Sequence, residues 1–140
     1  MMQICEAGHP ADFQSEIEEV LSFATSKARE EYRKYLETNK RKLYVYKVNE
    51  AVGGCIGIEL IADNNCVIKH IAVSLENRGQ RIGSKMIGLI CEKYKFSSIL
   101  AETDQDAVDF YRRIGFETKS LGEKYPGRER FLCQKNFSQA

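Results

Sequence analysis

The sequence predicts an α/β (α+β) fold, a mixed sheet of about seven strands with four helices on its two faces. Three observations predict it. Apolar residues recur at helical spacing in four segments of the chain. Between them lie short β-rich runs that alternate or are continuously apolar. The segments follow one another in the order β, α, α, β, β, β, α, β, α, β, β. Consecutive strands imply antiparallel pairing, and strand–helix–strand pieces imply parallel pairing, so the sheet is mixed.

Each element has its own signal. From Ala11 to about Ala24, the residues Phe13, Ile17, Val20, Leu21 and Ala24 recur at helical spacing, and Ala28, Tyr32, Tyr35 and Leu36 continue the period on a second face. Two helices, or one bent helix, are expected, ending near "TNKRK". In "KLYVYKVNE", Leu43 and Val45 alternate with Tyr44, Tyr46 and Val48, a strand pattern. "NEAVGG" reads as a hairpin turn, "GCIGIELIA" as the returning strand, "DNN" as another turn and "CVIKHIAV" as the third strand of a meander. Ile82, Met86, Leu89 and Ile90 then share a helical face, and "SSILAE" is a short strand. "TDQDAVDFYRRIG" opens a helix, with Thr103 and Asp106 spaced as a capping box and Gly115 placed to stop it. "FETKSLG" and "RERFLCQKN" supply the last two strands.

The 140 residues suit one domain, 1–140, with 43% hydrophobic and 29% charged residues. A net charge of +1 does not suggest nucleic acid as a partner. Five cysteines, Cys5, Cys55, Cys66, Cys91 and Cys133, form no C-x-x-C pair, and three lie in apolar runs. That pattern predicts free thiols in a reducing, cytoplasmic setting, with no disulfide framework and no metal site. The start "MMQICEAGHP" has no basic n-region, and no apolar run reaches the length of a membrane span, so no membrane association is expected.

The stretch "RGQRIG", Arg78 to Gly83, sits between a strand and a helix. A helix opening near Ile82 leaves its first N–H groups unpartnered and carries positive dipole character there. Gly79 and Gly83 allow close backbone approach and positive φ, and the two arginines add fixed charge suited to phosphate. The combination reads as an anion site, most naturally for a phosphate or pyrophosphate, with a tight strand-to-helix turn and solvated arginines as the alternative. It is not a P-loop, because Gly79 and Gly83 are one position too close and Ser84 precedes Lys85, and it lacks G-x-G.

Taken together, "HIAVSLENRGQRIGSKMI" and "TDQDAVDFYRRIGFE" resemble the Gcn5-related N-acetyltransferase (GNAT) superfamily. The first is similar to that family's acetyl-CoA motif, Arg/Gln-x-x-Gly-x-Gly/Ala after an "AV"-ended strand. The second carries its A-x-x-F-Y-x-x-x-G-F pattern at Ala107, Phe110, Tyr111, Gly115 and Phe116. The resemblance implies a GNAT-like, mostly antiparallel central sheet and an acetyl-CoA-dependent N-acetyltransferase. It implies a cleft where two parallel strands, "CVIKHIAV" and "SSILAE", splay apart. Backbone amides of Arg78, Gly79, Gln80, Arg81, Ile82, Gly83 and Ser84 would grip the pyrophosphate. Backbone groups of Ile71, Ala72 and Val73 would pair with the pantetheine arm, and an amide there would polarise the thioester carbonyl. Tyr111 would be the general acid, since expelled thiolates have conjugate pKa of roughly 8.5 and a tyrosine near 10 is neutral at pH 7.

Two positions depart from the family pattern. Arg81 stands where glycine is most frequent, so either the loop keeps negative φ or the turn is a variant. Asp104 stands where an asparagine commonly touches the cofactor arm, and an ionised carboxylate accepts but cannot donate. For the general base, Glu59 is the first candidate, a carboxylate in an apolar strand run, with an exposed strand position as the equal alternative. His70 has a suitable intrinsic pKa, but it and Lys69 face opposite sides of a strand, and a structural role is favoured. The expected acceptor is a primary amine of a small molecule or peptide, and a homodimer is in keeping with the family. The alternative reading is a non-catalytic acyl-CoA-binding or regulatory module on the same fold; a phosphate-only nucleotide binder is the third.

Overall fold

A computed structural model of the chain describes residues 3–6 and 14–137. The elements are β1 (Gln3–Glu6), α1 (Gln14–Leu21), α2 (Ala28–Glu37), β2 (Arg41–Val48), β3 (Ala51–Ile61), β4 (Asn65–Val73), a 3-10 turn (Leu75–Asn77), α3 (Ile82–Tyr94), β5 (Ser98–Asp104), α4 (Val108–Arg113), β6 (Glu117–Tyr125) and β7 (Arg128–Asn136). The predicted order of elements is the observed one. The early apolar period is two helices, broken between Leu21 and Ala28. Ile17, Val20, Leu21, Tyr32 and Tyr35 are buried, whereas Ala24 and Leu36 are exposed; Ala11 and Phe13 lie outside the described residues.

The strands form one seven-stranded sheet in the order β1-β2-β3-β4-β5-β7-β6. Every neighbouring pair is antiparallel except β4 and β5, which run parallel. The first meander turn is tighter than the sequence suggests, and the second falls one residue before the expected "DNN". Asn49 and Glu50 alone turn β2 into β3, with φ of 51° and 68°; Ala62, Asp63 and Asn64 turn β3 into β4, the last two with φ of 64° and 60°. Positive φ at both central residues matches the right-handed twist of a hairpin, and Asn and Asp tolerate it. "AVGG" is therefore the start of β3 and not part of the turn.

Both faces of the sheet are covered. Leu43, Val45, Val52, Cys55 and Ala72 pack with α1 and α2. Tyr44, Tyr46, Ile56, Ile58, Cys66 and Ile68 pack with α3 and α4 on the other face. β3 is buried from Val52 to Ile58, as a central strand covered on both sides must be. Its Gly57 makes room for α2. A Cβ there would lie 1.9 Å from the Tyr35 hydroxyl oxygen, a contact that only expelling the ring would relieve.

One irregularity sets up the site. Gly57 pairs with His70 but Ile58 pairs with Ile68, so Lys69 is an extra residue in β4, a β-bulge. The bulge exchanges the faces of the strand. Before it, Cys66 and Ile68 face α3; after it, Ile71 and Val73 do so, and His70 and Ala72 turn to α1 and α2.

Two substitutions test this packing and backbone. Gly57→Ala should destabilise the protein by roughly 1–3 kcal/mol, the usual cost of overpacking, in a denaturant titration; unchanged stability would mean that Tyr35 does not lie on the strand. Arg81, at φ 61° and ψ 28°, holds a left-handed conformation at the foot of α3. Arg81→Gly relieves about 1–2 kcal/mol of steric cost and adds about 0.4–1 kcal/mol of unfolded-state entropy. The variant should therefore be more stable by about 0.5–1 kcal/mol, the difference of those two terms. A lower midpoint would contradict the assigned backbone.

Candidate active site

β4 and β5 pair over only four residues each, Asn65–Ile68 with Ser98–Ala101. Beyond Ile68, β4 stays with β3 as far as Val73, and beyond Ala101, β5 stays with β7 as far as Asp104. The sheet thus opens between Lys69–Val73 on one side and Glu102–Asp104 on the other. The opening leads into a cleft of about 1110 Å³. Its walls are Ile71, Ala72 and Val73 of β4, the loop residues Asn77, Arg78, Gly79 and Arg81, and Ile82, Gly83 and Ser84 at the start of α3. Ala107, Phe110, Arg113, Ile114 and Gly115 close it from α4 and the turn beyond it.

The foot of α3 presents unpaired backbone amides to the cleft. The first intrahelical bond runs from Lys85 N–H to Arg81 C=O, at 3.0 Å, so the amides of Ile82, Gly83 and Ser84 precede the helical ladder. No side chain caps this end and its first turn holds no carboxylate. The dipole and the free amides are thereby left to a ligand. Gly79 has φ 82°, the left-handed conformation expected of it. Gly83 is needed for packing instead. A Cβ there would meet the Phe110 ring at 3.1 Å, so glycine lets α4 close over α3. Of the two alternatives open to Arg81, the backbone takes the variant turn, with positive φ. Arg78 donates from Nε to the Val73 carbonyl at 3.2 Å, and its guanidinium lies 4.9 Å from the centre of the Phe23 ring.

Among the described residues, the cleft walls hold three guanidinium groups, Arg78, Arg81 and Arg113, and no carboxylate or histidine. Their chemistry fits the phosphates of a coenzyme A molecule, and the apolar β4 wall fits its arm.

Tyr111 projects from α4 into the core rather than into the cleft wall, which its neighbour Phe110 forms. Its ring meets Phe110 and Phe116 edge-on at 5.1 Å each. Among the described residues its hydroxyl has no hydrogen-bond partner, and unlike the Tyr46 hydroxyl it is not sealed from solvent. Burial, with a smaller contribution from Cys133, raises its pKa well above the usual tyrosine value. The phenol is neutral throughout the physiological range.

Three other predicted site residues lie apart from the cleft walls. Gln80 is exposed on the loop. Asp104 spends one carboxylate oxygen on the amides of Asp106 and Ala107, at 3.0 and 3.1 Å. It therefore caps the turn into α4, and the capping box predicted for Thr103 is not formed: Thr103 is still in β5, paired with Phe131. Glu59 stands opposite Val67, in the half of the sheet where β4 and β5 are joined. Arg41 holds it at 3.1 Å and also reaches Glu31 at 3.4 Å. His70 belongs to the same network. Its Nδ1 is 2.6 Å from the Tyr35 hydroxyl and its Nε2 3.5 Å from Glu31. Burial lowers the His70 pKa, partly offset by Glu31, whose own pKa is lowered first by the hydrogen bond from Lys34.

Asn77, Ala107, Phe110, Arg113 and Ile114 line the cleft without having been singled out by the sequence as cofactor-binding. For Phe110 and Arg113 a signal exists: they are three apart, hence on one face of any helix over that segment.

The fold has relatives among solved structures. A GNAT family acetyltransferase from Elizabethkingia anophelis, with acetyl-CoA bound, superimposes with a TM-score of 0.72 at 20% identity, over 97% of this chain and 98% of that one. An aminoglycoside 6′-N-acetyltransferase complexed with coenzyme A gives 0.83 at 13% identity, over 99% of both. The ribosomal-protein-S18-alanine N-acetyltransferase of Escherichia coli gives 0.81 at 12% identity, over 100% of this chain and 96% of that one. No curated protein matches the chain in sequence. The family model of the acetyltransferase (GNAT) domain matches residues 39–118, which run from just before β2, the first strand of the meander, to the start of β6. With the opened β4–β5 pair, the glycine loop and the α4 motif all inside that span, the chain belongs to the GNAT acetyltransferase family.

Proposed function

We propose that this chain is a single-domain N-acetyltransferase that moves an acetyl group from acetyl-CoA directly to a primary amine of a small molecule or peptide. The observation that carries the reading is the junction of two features in one cleft: the opened β4–β5 edge and the uncapped start of α3. The amides of Ile82, Gly83 and Ser84, with Gly79, Arg78 and Arg81 around them, hold the pyrophosphate. The arm lies along Ile71–Val73, whose edge towards β5 has no strand partner. The bound donor supplies an activated thioester. An amide of that β4 segment polarises the thioester carbonyl.

Tyr111 acts as general acid in this reading. Its phenol is neutral, unpartnered among the described residues and adjacent to the Phe110 wall, so it is available to protonate the departing thiolate. The new C–N bond forms as the C–S bond breaks, and the phenol proton goes to sulfur. Glu59 and His70 are both engaged in the Arg41–Glu31 network and neither lines the cleft. The amine accordingly enters in its neutral form and its proton leaves to water. Relatives of this fold are named for acceptors as different as an aminoglycoside and a ribosomal protein's alanine, which supports an amine acceptor as the general class.

The test is kinetic and calorimetric together. Tyr111→Phe keeps the ring contacts with Phe110 and Phe116 and removes only the hydroxyl. It should lower the rate of CoA release with an amine acceptor by about 10²-fold or more, the usual range for a lost general acid. The dissociation constant for CoA should change by less than about threefold, under 1 kcal/mol. An unchanged rate would remove Tyr111 from the mechanism. CoA binding without turnover on a panel of amines would favour a non-catalytic acyl-CoA-binding module.

A further inference from the structure

We infer that Tyr35 of α2 is a positioning residue for acetyl transfer: through His70 it fixes the open edge of β4 along which the acetyl-bearing arm lies. The inference rests on the coenzyme A reading of the cleft and adds to it a residue on the opposite face of the sheet.

The open edge needs such a support. Beyond Ile68, β4 has left β5 and is held in the sheet by β3 alone, and the extra residue Lys69 interrupts that remaining ladder. His70 comes next, directly before Ile71–Val73. It faces α1 and α2, where the neighbouring buried strand residues, Leu43, Val45, Val52, Cys55 and Ala72, offer it no strong hydrogen-bonding side chain. A polar ring in that company needs a partner, and Tyr35 is placed to be one. Its hydroxyl lies 2.6 Å from His70 Nδ1. Gly57 keeps the route open: it pairs with His70 across the ladder, and a Cβ there would come within 1.9 Å of the Tyr35 hydroxyl oxygen.

The surroundings assign the protons. Burial raises the Tyr35 pKa well above the usual tyrosine value, so the phenol keeps its proton and donates it. His70 Nδ1 is then the acceptor, and Nε2 carries the ring proton towards Glu31, 3.5 Å away. Burial lowers the His70 pKa, and Glu31 acts against it; the other charges around the ring are Arg41 on β2, Lys69 on β4 and Lys34 on α2. Arg41 lies 5.8 Å from the centre of the Tyr35 ring and pairs with both Glu31 and Glu59. The imidazole is therefore engaged at both nitrogens by two residues one turn apart on α2. Holding the side chain of residue 70 in this way holds the backbone that leads into the open edge. An amide polarises a thioester carbonyl only when its position is fixed before the reaction.

The experiment compares Tyr35→Phe, His70→Ala, His70→Asn and the Tyr35→Phe/His70→Ala double variant with the wild type. In the free protein, Tyr35→Phe should speed amide exchange across His70–Val73 by roughly fivefold or more, the loss of one hydrogen bond, and leave Ile82–Ser84 unchanged. It should also raise the His70 pKa in an NMR titration, because the lost bond favours the neutral ring. With acetyl-CoA and a polyamine, an aminoglycoside or an alanine-ended peptide as acceptor, its kcat should fall at least about tenfold. Its dissociation constant for CoA should stay within about threefold of wild type, since the foot of α3 is untouched. His70→Ala should match Tyr35→Phe, and the double variant should be no slower than either. His70→Asn, whose Oδ1 accepts the same proton, should recover most of the rate. A lower denaturation midpoint with unchanged kcat and unchanged exchange at Ile71–Val73 would make Tyr35 a packing residue and overturn the inference. So would a His70→Asn variant as slow as His70→Ala. A wild type that neither binds CoA nor turns over would remove the coenzyme A reading, while exchange in the free protein would still decide whether Tyr35 fixes the edge.

Discussion

The rest of the structure depends on the failure of β4 and β5 to stay together. Each strand is committed elsewhere along its full length, β4 to β3 and β5 to β7, and they share only four paired residues. The Lys69 bulge lies at the end of that short parallel ladder. A bulge bends its strand and increases local twist, so β4 leaves β5 where the extra residue sits. Main-chain groups that would satisfy a neighbouring strand are instead turned to a cleft. An unsatisfied strand edge is a template for pairing, and here it borders the cleft.

The same bulge coordinates both faces of the sheet. It turns Ile71 and Val73 towards α3 and α4, where they line the cleft. It turns His70 towards α2, into a network with Tyr35, Glu31, Arg41 and Glu59. These titratable groups therefore stabilise one side of the strand while the other side remains apolar. At the foot of α3 the local rules are set aside in a consistent way. The helix lacks a capping side chain, and a non-glycine residue, Arg81, holds a left-handed backbone. Both features cost stability, and both leave donors and positive charge facing one cleft.

Much of this is legible in the residues. The helical period of Ile17, Val20 and Leu21, the alternation of β2 and the paired glycines of the loop each place an element correctly, because each is a local pattern with one physical solution. The strand-to-helix loop and Phe110, singled out by the sequence as parts of two motifs, line one cleft in the structure. What escapes is non-local. The Lys69 bulge leaves no mark in "VIKHI", since register is decided between strands. The glycines of "AVGG" read as a turn, but Gly54 answers to α3, where Met86 lies close, and Gly57, further along the strand, answers to Tyr35 of α2. Glu59 reads as an anomaly in an apolar run, and its explanation, Arg41, stands 18 residues earlier across a hairpin. The spacing puts Arg113, unlike Arg112, on the helical face of Phe110, but only the packing of Phe110 over Gly83 shows that this face of α4 meets the cleft.

The central claim is that the open edge of β4 and the foot of α3 together hold one ligand. Amide hydrogen exchange, followed residue by residue with and without CoA, tests it most directly. The account predicts slower exchange on CoA binding at two places: in the Ile71–Val73 segment of β4 and at Ile82, Gly83 and Ser84 in the first turn of α3. Saturating CoA that leaves both groups of amides unprotected, or protects one and not the other, would contradict it.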